Sequence, residues 1–76
     1  MKKVGTVTHY YGNIGVAIVE LSDALAVGDT IHIGELEQAI DSMQVEHTAV
    51  EKAKKGDIVG IKVAQRVREG SAVERE

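Results

Sequence analysis

The chain has 76 residues and a net charge of −3, the size of one small domain. With 43% hydrophobic and 28% charged residues it reads as globular rather than disordered, and with no Cys it lacks both a disulfide framework and a thiolate metal site. Its longest apolar run, Val16-Ala17-Ile18-Val19, is far short of the roughly 20 residues that span a membrane.

Met1-Lys2-Lys3 has the charge of a signal-peptide start, but Gly5, Thr6, Thr8 and His9 interrupt the apolar stretch that should follow. A cytoplasmic location is therefore expected. Lys3 to Thr8 is the first β-prone stretch, and Gly12-Asn13 is a turn signal because both residues tolerate positive φ. Ile14 to Leu21 follows as a strand rich in β-branched residues, and Ser22-Asp23 ends it. Leu25-Ala26-Val27-Gly28-Asp29 leads into Thr30-Ile31-His32-Ile33, where alternation predicts Ile31 and Ile33 inward and Thr30 and His32 outward. From Glu35 to Lys55 the apolar spacing of Leu36, Ile40, Met43, Val50 and Ala53 favours an amphipathic helix; a strand from about Gln38 to His47 followed by an irregular segment competes with it. Gly56-Asp57 opens a strand over Ile58 to Val63, and Gln65 to Arg68 and Ala72 to Glu74 are predicted as short closing strands.

Three patterns occur in one order: Gly5-Thr6-Val7 before Gly15-Val16-Ala17-Ile18-Val19, then Leu25-Ala26-Val27-Gly28-Asp29-Thr30-Ile31, then Ala53-Lys54-Lys55-Gly56-Asp57-Ile58-Val59-Gly60-Ile61. Over about residues 4–74 this resembles the second domain of translational GTPases such as elongation factor Tu, a small β-barrel. The resemblance implies an all-β fold, a closed six-stranded barrel over 1–76, with residues 36–55 as strand plus loop. It also implies a non-catalytic module of translation that contacts ribosomal RNA, tRNA or a protein factor. Similar barrels close the collagenase-like peptidases, which supplies the alternative of an accessory barrel partnering a peptidase-like or RNA-modifying enzyme; a structural homo-oligomer is the third expectation. No phosphate-binding Gly-x-x-x-x-Gly-Lys-Ser/Thr loop is present, so no GTPase activity is expected.

In the Gly28-Asp29 and Gly56-Asp57 turns, Gly supplies positive φ and Asp accepts backbone N–H bonds, a structural role. His9, Tyr10 and Tyr11 form the one aromatic cluster, suited to stacking on bases or anchoring a protein partner; the competing reading has one ring covering the end of the barrel and the other resting on the surface. Residues 1–51 carry two basic and eight acidic side chains, whereas 52–76 carry seven basic and four acidic ones. Lys52, Lys54, Lys55, Arg66 and Arg68 are accordingly read as a basic rim for phosphates, against the plainer reading of a solvated loop and strand edge. His9, His32 and His47 lack metal-ligand spacing, and no nucleophile or carboxylate pair stands out. No metal, cofactor or enzymatic activity is expected, and nothing in the residues fixes an oligomeric state.

Overall fold

The computed structural model describes all 76 residues, Met1–Glu76. The chain forms β1 (Lys2–Tyr11), β2 (Val16–Leu21), β3 (Leu25–Ala26), β4 (Thr30–Ile33), β5 (Leu36–Ala39), β6 (Met43–Val45), β7 (Thr48–Val50), β8 (Lys52–Ala53), β9 (Ile58–Lys62) and β10 (Ala72–Arg75). Eight strands make one antiparallel sheet in the order β5-β4-β10-β1-β2-β9-β6-β7, and β3 pairs with β8 beside it. No helix is long and apolar enough to cross a membrane.

Alternation builds the core. In β2, Ala17, Val19 and Leu21 are buried while Val16, Ile18 and Glu20 turn outward; β4 buries Ile31 and Ile33, and β9 buries Val59 and Ile61. In β1, Val4 and Val7 are three residues apart and would point to opposite faces of a regular strand. A register shift against β10 between Lys3 and Gly5 lets both enter the core. Seventeen hydrophobic side chains form one contiguous cluster with no buried polar side chain among them. Aliphatic branching and one Met supply the volume that Phe or Trp would otherwise provide.

Two equivalent turns organise the strands. At Ala26–Asp29, the Asp29 carboxylate accepts the Ala26 N–H at 2.9 Å; at Lys54–Asp57, the Asp57 carboxylate accepts the Lys54 N–H at 3.1 Å. Gly28 and Gly56 occupy the same place in each turn with φ of 96° and 92°, which an L side chain resists. Each turn is then clamped by one residue of another segment. The Gly28 N–H donates to the Ile40 carbonyl and Ile40 donates back to Asp29, while Gly56 donates to Leu21 and Leu21 donates back to Asp57. The correspondence continues through the registers. His32 lies opposite Glu37 and Glu74, and Gly60 lies opposite Ile18 and Gln44. The trio β5-β4-β10 therefore repeats as β2-β9-β6 about a pseudo-twofold passing between β3 and β8.

The expected closed six-stranded barrel is corrected to a curled sheet whose edge strands β5 and β7 do not pair with each other. The expected strand from Gln38 to His47 is broken because both backbone hydrogen bonds of Ile40 go to the Gly28-Asp29 turn rather than to a ladder. The 36–55 stretch is made of short strands and turns and no part of it is helical: Leu36, Ile40 and Met43 reach the core from separate strands and a connection. Gln65 to Arg68 is irregular rather than a closing strand, with Val67 sealing the core from it. Where backbone pairing stops, a side chain bridges the gap. The Gln38 amide donates to the Lys62 carbonyl at 2.9 Å and accepts the Ala64 N–H at 2.8 Å, joining β5 to the chain leaving β9.

Candidate functional site

Residues of one parity along β1, β2 and β9 face away from the core, and around β2 and β9 these are apolar. Tyr11 lies opposite Val16 in the β1–β2 ladder, and Ile18 lies opposite Gly60 in the β2–β9 ladder. Together with Ile14, Val45 and Ile58 they line an open groove of about 720 Å³. Its charged lining residues are Glu46 and Asp57, with no Lys or Arg among them. The β6–β7 connection bounds one side, and both of its residues have positive φ, Glu46 at 51° and His47 at 66°. Glycine or asparagine is the usual occupant of such a two-residue turn, so these side chains are held there at a conformational cost.

The aromatic cluster is divided by the pleat. Tyr10 packs against the core and is half-buried, while His9 and Tyr11 share the outer face with ring centroids 4.3 Å apart. His9 Nδ1 lies 2.8 Å from a Glu69 carboxylate oxygen, tying β1 to the loop before β10. Lys52, Lys54, Lys55, Arg66 and Arg68 are all exposed. Lys52 lies in β8, Lys54 and Lys55 in the turn before β9, and the two arginines in the irregular segment between β9 and β10, which returns to β1 through the bonds of Gly70 and Ser71 to Val7.

The strand registers also assemble a group that residue spacing concealed. His32 Nε2 is 2.7 Å from Glu76 Oε2 and 3.9 Å from Glu37 Oε1, with the His32 side chain only 19% exposed. One nitrogen and two carboxylate oxygens lie within 4.8 Å of one another, a donor set of the type divalent cations use. In sequence these residues carry no common signal. They meet because His32 is opposite Glu37 in the β4–β5 ladder, while β10 brings Glu76 alongside. Beyond this pairing, the Asp23 carboxyl has a lowered pKa. A hydrogen bond from Lys2, and then one from the Ala24 N–H, hold it below its ordinary value of 3.8.

Fold comparison places the chain in a class of small all-β domains. It superposes on the crystal structure of the C-terminal domain of a Geobacillus thermoleovorans protein titled a U32 peptidase with a TM-score of 0.89, covering 99% of this chain and 92% of that one at 22% identity. The selenomethionine form of the same domain gives 0.92 at 20% identity, with both chains covered completely. In sequence, the chain is 43% identical over 76 residues to an uncharacterized protease of Methanocaldococcus jannaschii, covering 93% of this chain and 19% of that protein. The chain thus spans about a fifth of the curated relative it matches. No protein-family model matches it. These likenesses overturn the expected kinship with the second domain of translational GTPases, and with it the translation, elongation-factor and ribosome assignments. The Gly-Asp turns that carried that expectation are fold devices, used here twice, from β3 into β4 and from β8 into β9.

Proposed function

We propose that this chain is a non-catalytic accessory domain serving a peptidase-like enzyme of the U32 type, and that its partner is protein. The observation that carries this reading is the 43% identity, over nearly the whole chain, to a segment forming only 19% of a much longer protease. Support also comes from the site itself. The outer groove is apolar and open, with Glu46 exposed and Asp57 already accepting the Lys54 N–H, the character of a contact surface.

The test exchanges the matched segment of the Methanocaldococcus jannaschii protease for this chain. The chimera is expected to fold and to keep whatever protease activity its parent shows in the same assay, whereas this chain alone hydrolyses nothing. Hydrolysis by the purified chain, lost on active-site titration of the chain itself, would overturn the accessory reading.

A further inference from the structure

The pseudo-twofold relates two outward faces, one centred on β4 and one on β9, with β10, β1 and β2 between them. On one, His32 fills the centre of the face and is bonded to Glu76, with Glu37 beside it. On the other, the place of His32 is taken by Gly60, that of Glu37 by Ile18, and that of Glu76 by Glu46, two residues beyond Gln44 as Glu76 is two beyond Glu74. The first face is polar and satisfied from within. The second is apolar and left open where a side chain is missing.

Three of the chain's five exposed large hydrophobics gather at this opening: Ile14 at 59%, Ile58 at 54% and Tyr11 at 46% exposure. Scattered exposed apolar residues need no explanation, but a cluster around a groove marks a contact surface. The Glu46-His47 turn beside it keeps two side chains in a conformation they disfavour, as contact residues often are.

We propose that the groove over Gly60 receives an apolar side chain from the larger peptidase-like body, and that a Lys or Arg next to that side chain meets Glu46 and Asp57; this rests on the accessory-domain reading above. Size and charge select this occupant. A self-standing interface takes roughly 20–30 residues a side, and the groove presents far fewer, so it is too small to hold two free copies of the chain together. A body on the same polypeptide is different. In the longer relative, four-fifths of the protein is permanently tethered to the matched segment, and short tethers give effective concentrations in the millimolar range, so a single anchoring side chain suffices. The lining carries two carboxylates and no Lys or Arg, which favours a basic neighbour over a second copy of the same surface.

Hydrogen exchange read by mass spectrometry tests this, comparing the isolated chain with the chimera described above. Peptides covering Ile14–Ile18 and Ile58–Gly60 are expected to exchange about tenfold more slowly in the chimera. Gly60→Val is the discriminating variant. A Cβ at this position meets Val16 Cγ1 at 3.4 Å and Ile18 Cδ1 at 3.6 Å, so a side chain here occupies the groove, and an unfolding midpoint of the isolated variant equal to that of the parent chain establishes that the fold is kept. In the chimera, Gly60→Val should return these peptides to the rate of the isolated chain, and Ile14→Asp with Ile58→Asp should do the same by charging the rim. Protection on the His32 face instead would overturn the groove assignment and leave the accessory reading standing. No protection anywhere, with the chimera melting as two independent units, would overturn both. A concentration-dependent dimer of the isolated chain that Gly60→Val abolishes would give the groove to a second copy and likewise overturn the proposal.

Discussion

His47 occupies the second place of the β6–β7 turn with a φ of 66°, a conformation in which its Cβ crowds the backbone. Replacing it with Gly removes that crowding at a position whose side chain is exposed, so His47→Gly should raise the unfolding free energy by about 1 kcal/mol, read from the urea midpoint. A midpoint unchanged or lowered would show that the imidazole makes a compensating contact. The residues that set the turns were readable because their reason is local: a glycine followed by an aspartate reverses a strand whatever surrounds it. Glu46 and His47 were not, since nothing in their side chains announces positive φ. Only the two-residue spacing between Val45 and Thr48 in the finished ladder imposes it.

At the scale of elements, alternation located the inward residues of β4, Ile31 and Ile33, correctly because the strand period is two regardless of neighbours. It misled over residues 36–55, where Leu36, Ile40 and Met43 mimic a helical period. Their spacing arises from a break between β5 and β6, where Ile40 turns its backbone to the Gly28-Asp29 turn. That competition between a ladder and a turn clamp belongs to tertiary structure. The seam where β5 approaches the end of β9 depends on one amide. Gln38→Ala loses the bonds to Lys62 and Ala64 and should cost about 1 kcal/mol, since water can replace part of what is lost. The sharper readout is local: Ala64 should gain amide exchange while the buried strands keep theirs. Uniform loss of protection would mean that the seam holds the entire sheet.

Across the whole molecule, both ends of the chain converge on the turn after β2. Lys2 pairs with Asp23, and the Arg75 guanidinium donates to the Ala24 carbonyl at 2.6 Å. Because the Lys2 hydrogen bond depresses the Asp23 acidity in the folded state, this pair contributes stability at pH values above about 3.8, and the contribution disappears as the pH falls through the lower folded value. Asp23 is well exposed and the effect small, so an NMR titration of its carboxyl carbon is the suitable measurement. Lys2→Ala should move the titration up toward 3.8 and flatten the acid limb of stability; an unmoved titration would exclude Lys2 as the cause.

The sequence by itself determined the main strands outside residues 36–55, its two Gly-Asp turns and the inward face of β4, because each of these rests on residues near one another along the chain. Only the tertiary structure decided that the sheet stays open. It alone also brought His32, Glu37 and Glu76 together and left the pseudo-equivalent face hollow at Gly60. Those outcomes depend on which strand lies beside which, and long-range pairing is set by the core and the turn clamps acting together rather than by any local pattern.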